Sequence, residues 1–535
     1  MWHIAFPIPG SGVVSWTYNT SLRVMILLLR SPKTSARVIV DEIAQPCNNG
    51  GLVMLELLSR SDIDQIHAAS LEILRESGVV FSHDGALDIF QQMGALVDMK
   101  KKIVKIPEAM VKETLNKAPR EIVFLARNEQ FRLTLGGGKV HFTNGFGAIH
   151  VLDADTRKRR LASLKDLENF TLICDALPYV HYLMSQCIPQ EIQPSIVDRH
   201  IASAMFRNTS KHFCVTAFDL QGLRDILKMT AAVVGGEEAF RRKGSIINGG
   251  VAPVSPLQYP NDTIAQIMEF CRLGIPLELC SGVISGATGP VTIAGTISLA
   301  NAEDLAALVL AQAINPGTPI VFGTMATIMD MKYGCYAYGS PELGLINGAF
   351  AQIAHHYGLP CFGTSGTIDS KIPDEQAAYE AAISNTIAVL SGTDVIHDGV
   401  YGILESALTA SYEQLIISHE IASMTMRIIK GIDVNEETLA TKLITSMGPG
   451  ASYLSGDALK HSRRHLFEQH WQPEITDRQG RSQWERSGSK DVVKRGHDRV
   501  QQILAEHKPQ PLDKEVEAKI EQIVRDAAAR VQESE

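Results

Sequence analysis

The residues able to do chemistry in this chain are few, and they collect at the ends of apolar runs. DVIHDGVYGI holds His397, Asp398 and Tyr401, LPCFGTSGTID holds Thr364, Ser365 and Asp369, and VHFTNGFGAI holds Asn144 and Phe146. Phe218 closes HFCVTAF, and KYGCYAYGSPE gathers Tyr333, Tyr336 and Tyr338. Gln186, Pro253, Ser255, Ser281, Ser285, Thr324 and Thr327 complete the set. Hydroxyls, amides and rings dominate. A hydrolase or proton-abstracting enzyme needs paired carboxylates or a Lys–Asp set at such places. A zinc enzyme needs several His and Cys. His397 stands nearly alone, Cys187 and Cys280 lack His neighbours, HExxH is absent, and His355 and His356 read as surface or packing on a helix. No metal is therefore expected on this chain. His397, just past an apolar stretch and before a Gly, either donates to an anionic substrate group or caps a strand end against Asp398. The three tyrosines either form part of a cage for a quaternary ammonium or pack a loop. Asp369 and Lys371 either pair at the surface or hold a charge over the site.

These residues need a scaffold that brings them together. Eight apolar runs begin at Val140, Val180, His212, Ser245, Ile275, Thr318, Leu359 and Asp394. Helix-like stretches separate them, among them SLKDLENFTLICDAL, DLQGLRDILKMTAAVVGG and AEDLAALVLAQAINPG. The last two carry apolar residues at i, i+3, i+4 and end at Gly or Pro. Eight buried strands alternating with helices predict an α/β fold, a (β/α)8 TIM barrel over 140–430. A doubly wound open sheet is the alternative, but GxGxxG after the first strand and a GK[ST] phosphate loop are both missing. In a barrel the active site lies at the C-terminal strand ends, where the residues above stand.

Flanking pieces are expected on both sides. Residues 54–139 read as an α+β preface. A helix from Ser61 puts Ile63, Ile66, His67, Ser70, Ile73 and Leu74 on one face, with Ser59 or Ser61 as cap and Gly78 as stop. A short helix near His83–Met93 follows, then strands in VKIP, EIVFLAR and FRLTL and a turn at Gly136–Gly138. Residues 431–535 form a C-terminal helical extension, ending in a charge-laced helix near Lys514–Val531 read as solvated on the barrel exterior. Residues 1–53 read as an irregular N-terminal extension, and Met54, directly before the first helix, suggests a misassigned start.

Composition narrows the class. With 45% apolar and 20% charged residues over 535 positions, the chain can build a large core. Lys and Arg number 50 against 59 Asp and Glu, a net charge of -9, which argues against nucleic acid. The 8 cysteines include no CxxC pair and read as reduced thiols of a cytoplasmic protein. The apolar run VMILLL is too short to span a bilayer or serve as a signal core, so no membrane partner is expected.

The segment order resembles the trimethylamine methyltransferase family of corrinoid-dependent methyltransferases. The resemblance rests on SLEILRESGVVF, ISGATGPVTIAGTISLANAEDLA, GTSGTIDSKIPDEQAAYE, IHDGVYGILESALTASYEQLIISHEI and TDRQGRSQWERSGSKDVVKRGHDRV, and covers roughly Leu55–Leu504. It implies a (β/α)8 barrel that moves a methyl group from a methylated amine to the Co(I) of a separate corrinoid (cobalamin) protein. Trimethylamine-specific members carry pyrrolysine on the strand-seven side of the mouth. The corresponding Thr364–Pro373 here holds ordinary residues, so the resemblance points to a quaternary amine such as glycine betaine. Such a substrate expels a neutral tertiary amine and needs no general acid; the protein must chiefly hold N–CH3 in line. The expected assignments are His397 for the carboxylate, helped by Asn144 or a hydroxyl; Phe146, Phe218, Tyr333 and Tyr401 for the cage; and Thr364 and Asp369 as further substrate contacts. Trimethylamine or another methylated amine stays open as substrate, as do a non-catalytic betaine-binding role and homo-oligomerisation.

Overall fold

A computed structural model describes residues 55–534 and the short antiparallel pair His3–Phe6 and Val14–Thr17. Apart from that pair, the extension expected over 1–53 lies outside the described residues. Seven of the apolar runs form strands: β1 His141–Asn144, β2 Phe213–Val215, β3 Ile247–Val251, β4 Leu277–Ser281, β5 Ile320–Thr324, β6 Cys361–Thr364 and β7 Val395–Val400. They pair in parallel in the order β2-β3-β4-β5-β6-β7-β1. Every residue of β4, β5, β6 and β7 is buried, as a parallel sheet covered on both faces requires. The eighth run, VHYLMSQCI, touches both edges of this sheet: Tyr182 bridges Thr143 of β1, and Leu183 bridges Phe213 of β2.

Side chains make part of that junction. The Phe142 N–H donates to His181 Nδ1 (2.9 Å) and the Met184 N–H to Asn144 Oδ1 (2.8 Å). Asn144 Nδ2 donates back to the Met184 carbonyl (2.8 Å). On the other side the Leu183 N–H donates to His212 O and the Cys214 N–H to Leu183 O, and Lys211 Nζ donates to the Val180 carbonyl.

Helices alternate with these segments: α1 Leu164–Ala176, α2 Val197–Asn208, α3 Leu220–Val234, α4 Asn261–Leu273, α5 Ile293–Ile314, α6 Pro341–Tyr357, α7 Glu375–Leu390 and α8 Tyr412–Ile429. Local chemistry sets their ends. Ser163 and Asp166 form a capping box on α1, Ser340 caps α6 with Pro341 in its first turn, and left-handed Gly235, Gly274 and Gly358 close α3, α4 and α6. By length and composition α5 could cross a membrane, yet 78% of its most apolar window is buried inside the protein. It packs on β4 and β5 and on the preface helix Arg60–Glu76, so its all-round apolar surface is that of a core helix.

Ser59 caps the preface helix, with Asp62 reciprocating, and Ile63, Ile66, Ser70 and Leu74 face inward. Each fully buried aliphatic side chain there contributes about 1.5–3 kcal/mol. The hairpin Ile122–Phe124 and Leu133–Leu135 sends Ile122, Phe124, Leu133 and Leu135 into one cluster with Tyr182, Cys214, Cys280, Val321, Phe362 and Val395. The hairpin thus plugs the sheet interior.

The chain divides into two units, a larger one of Pro46–Ile432 with Pro473–Glu535 and a smaller one that includes Asp433–Gln472. In the larger unit, helix Val492–Glu506 packs on α8, where His497 Nδ1 lies 3.0 Å from Glu413 Oε1. The final helix, Lys514–Ser534, was expected to be solvated on the exterior. It lies there against α2 and α3 with most of its residues exposed or half-buried, burying only Ile520 and Ala527 and pairing Arg530 with Asp225. Within the smaller unit, Arg464 of helix Gly456–Gln469 reaches Glu437 at 2.7 Å.

Candidate functional site

The inner face of the sheet carries a line of buried polar groups. Tyr182 Oη donates to Glu278 Oε1, and Glu278 Oε2 lies 3.9 Å from His397 Nε2. On the other side of the ring, His397 Nδ1 lies 3.4 Å from Asp398 Oδ2. These are ion-pair distances, longer than good hydrogen bonds, and both His397 nitrogens, Glu278 Oε2 and Asp398 Oδ1 lack hydrogen-bond partners. Phe362 of β6 packs against the imidazole at 5.0 Å between centroids. Burial disfavours the charged ring, but Asp398 and then Glu278 outweigh it, so the His397 pKa is raised above the usual histidine value.

Consecutive residues in a strand normally point to opposite faces. His397 and Asp398 nevertheless meet, because β7 breaks register against β1 between Ile396 and Val400 and Asp398 adopts φ 67°. Such irregularities re-aim side chains beside functional sites. The loop after β6 fits around the break: Gly366 has φ 75°, and a Cβ there would lie 2.7 Å from the Asp398 carbonyl. Asn385 of α7 holds the next carbonyl, Gly399 O, at 2.8 Å.

Around this line stand hydroxyls and rings. Thr364 lies opposite His397 in register, and the buried hydroxyls of Thr364, Ser365 and Tyr401 have no partner. Tyr401 and Tyr338 sit 6.3 Å apart, and Tyr336 packs on Tyr338 at 5.4 Å. Buried polar atoms are ordinarily satisfied, so this cluster of unpartnered ones at the C-terminal ends of β6 and β7 is the candidate site.

The expected residues divide. His397, Thr364 and Tyr401 come together, and Phe146, half-buried, packs with Met325 against the interior cluster. Asn144 has a different task. Its amide is occupied by Met184, by Gly145 O at 3.1 Å and by Gln186 Oε1 at 2.7 Å, and Gln186 in turn donates to Tyr401 O. It therefore positions the junction and Tyr401 and leaves no atom for substrate. Asp369 accepts from the Tyr338 N–H (2.9 Å) and from Ser406 Oγ, tying two loops together. Tyr333 turns outward, 70% exposed, with Lys332 Nζ 4.7 Å above its ring. Phe218 is 42% exposed and, among the described residues, shares no ring contact with the tyrosines.

A site poor in acids was expected, and that reading is corrected. Glu278 and Asp398 flank His397, and Glu303 and Asp304 of α5 are both fully buried. Glu303 accepts from Ser255 Oγ (2.8 Å) and the Leu257 N–H (2.7 Å), and burial pushes its pKa up to about 7. Ser281 Oγ donates to Asp304 at 3.1 Å. Ser255 and Ser281, expected to face a ligand, thus serve buried carboxylates, while Ser285 Oγ donates to the Pro290 carbonyl. Glu278 escaped the sequence reading because it sits mid-strand in LELCS; a lone acid between Leu277 and Leu279 was its signal. The seven described cysteines are free, and burial pushes the Cys214 and Cys280 thiols well up, so neither is a ready nucleophile.

The sequence model of the family described as trimethylamine methyltransferase (MTTB) matches residues 30–531. Trimethylamine methyltransferase MttB of Desulfitobacterium hafniense (strain DSM 10664 / DCB-2) is 36% identical over 466 residues, 87% of this chain and 92% of that protein. Glycine betaine methyltransferase of Desulfitobacterium hafniense (strain Y51) is 32% identical over 470 residues, 88% and 96% of the two chains. Among solved structures, the Methanosarcina barkeri monomethylamine methyltransferase aligns with TM-score 0.44 at 12% identity, over 94% of this chain and 99% of that one.

Proposed function

This chain belongs to the trimethylamine methyltransferase family, and from that premise we propose that it moves a methyl group from a quaternary amine of the glycine betaine class to the Co(I) of a separate corrinoid protein. In this reading the sheet is a closed (β/α)8 barrel with Tyr182–Leu183 as its eighth strand, and substrate enters at the C-terminal strand ends.

The observation that carries the reading is His397 between Glu278 and Asp398, beside the Tyr338–Tyr401 ring pair. With its pKa raised, the imidazole donates a charged hydrogen bond to the betaine carboxylate. The flanking carboxylates and the ring faces favour the trimethylammonium end. Glu278 is held in place by Tyr182, so its carboxyl group is positioned before substrate arrives. A low-pKa thiol is missing from the groups described at this site, which suits a reaction whose nucleophile comes from outside. The corrinoid, when its carrier docks, supplies that nucleophile. This chain holds the N–CH3 bond toward the mouth and excludes water. The ordinary residues over Thr364–Pro373 support a quaternary substrate over trimethylamine.

The test mixes the protein with a corrinoid protein held as Co(I) and, separately, glycine betaine, other quaternary amines and trimethylamine. Loss of the Co(I) absorbance together with a demethylated product from a quaternary amine is expected. Turnover of trimethylamine alone moves the assignment to that substrate. Tight betaine binding with no demethylation of any amine would make this a binding protein.

A further inference from the structure

At the opposite ends of β6 and β7, three potential ligands converge. Cys361 opens β6, Asp394 directly precedes β7, and His355 lies in the last turn of α6. Parallel pairing of Phe362 with Val395 sets the two strand beginnings side by side, and Gly358 closes α6 so that His355 overhangs them. His355 Nε2 is 3.0 Å from Asp394 Oδ2, Cys361 Sγ is 3.3 Å from the same oxygen, and Sγ and Nε2 are 3.5 Å apart.

We propose that His355, Cys361 and Asp394 bind a zinc ion through Nε2, Sγ and Oδ2. Ligand bonds of ordinary length at a tetrahedral angle put sulfur, nitrogen and oxygen about 3.3–3.6 Å from one another. The observed triangle matches those edges to within about 0.3 Å. A thiolate, an imidazole and a carboxylate form a donor set that suits zinc and does not suit magnesium or calcium.

The surroundings support a built site. Asp394 is 2% exposed, and its Oδ2 also accepts the Cys361 N–H at 2.9 Å, which fixes the carboxylate as an outer-shell hydrogen bond does in metal centres. Cys361 is fully buried, while the His355 side chain is 36% exposed. That leaves one side open for the ion to enter and for water as fourth ligand. Binding replaces the Cys361 S–H bond with an S–Zn bond and releases the proton to solvent. The resulting centre is neutral, and it ties the end of α6 to the starts of β6 and β7. It lies three residues from His397 along the chain, about 10 Å, and on the other face of the sheet. It is therefore independent of the amine site.

The experiment uses the full chain, stripped with a chelator and titrated with Co(II) as the spectroscopic probe. A near-ultraviolet thiolate-to-cobalt band and tetrahedral visible bands should saturate at one ion per chain and vanish when Zn(II) is added. Cys361→Ser should lose the thiolate band. His355→Ala, a change on a partly exposed side chain that leaves the core intact, should weaken Co(II) binding about tenfold or more. Zn(II) should raise the melting temperature of the native chain and not of His355→Ala. Absence of a thiolate band in the native chain overturns the proposal. So does a band that persists in Cys361→Ser, since it would come from another thiol such as exposed Cys335.

Discussion

Lys211, just before β2, and His397, in β7, are both buried bases, and the fold treats them in opposite ways. The three Lys211 protons go to the carbonyls of Cys174 (2.9 Å), Leu177 (2.8 Å) and Val180 (2.7 Å), which closes the end of α1. Nothing of its hydrogen-bonding capacity remains. His397 stands 3.4 and 3.9 Å from two carboxylates, with both nitrogens unpartnered. A buried charge with complete partners is a structural pin, and one with incomplete partners is held ready for something that arrives later. Their proton affinities diverge in the same way. Burial lowers Lys211 to about 8, whereas the carboxylates beside His397 raise it against the effect of burial.

Substitution should separate the two roles. The largest effect is on turnover: His397→Ala should lower kcat/KM for a carboxylate-bearing quaternary amine about 10²–10³-fold, as loss of a positioned donor does. Unchanged kinetics would remove His397 from the site. Next in size, Lys211→Met should cost about 3 kcal/mol of stability, one for each orphaned carbonyl, read as a lower urea midpoint. The folded fraction should keep its turnover, and a large fall in kcat would show that Lys211 is more than a pin.

The pH profiles should then run in opposite directions. The folded His397 holds its proton above the unfolded value near 6.5, so its stabilisation is complete below that pH and is lost as pH rises through the folded pKa. Folded Lys211 sheds its proton near 8, below the unfolded 10.5, so the unfolded chain binds more protons between those values. The stability difference between the native chain and Lys211→Met should widen from about pH 8 upward. Urea titrations across pH read both signs, and parallel profiles would break the contrast. The smallest effects concern the tyrosines. Tyr401→Phe removes an unpartnered hydroxyl and should raise KM severalfold while changing stability by less than about 0.5 kcal/mol. Tyr333→Ala, at the surface, should alter either quantity less than about twofold. A larger loss at Tyr333 than at Tyr401 would relocate the cage.

The sheet was legible because its runs are apolar on both faces and bounded by Gly, Thr or Ser, a signal that needs no knowledge of partners. All eight runs lie where expected along it, VHYLMSQCI as the bridging segment. The candidate site was legible only where chemistry and strand end coincide, as at His397, Thr364 and Tyr401, which the structure brings together. Asn144 was hidden because a neighbouring segment, 40 residues away in sequence, claims its amide. The tyrosine loop was ambiguous because spacing in a loop does not fix direction: Tyr333 turned to solvent and Tyr338 to Tyr401. Glu278 vanished into the average hydropathy of its strand, and the triad of His355, Cys361 and Asp394 had no sequence spacing to betray it.

The junction at Tyr182 and Leu183 has a further consequence. One of its rungs requires His181 Nδ1 to accept the Phe142 N–H, which only the neutral ring can do. Burial holds the His181 pKa well below the usual value, so its contribution to stability is present above about pH 6.5 and fades as acid approaches the folded pKa. Acid should therefore unzip the sheet along this seam first. Phe142 and Met184 should lose amide hydrogen-exchange protection before the rest of β1. Tyr182, which anchors Glu278, sits on the seam itself, so opening the seam also releases the carboxyl group that flanks His397.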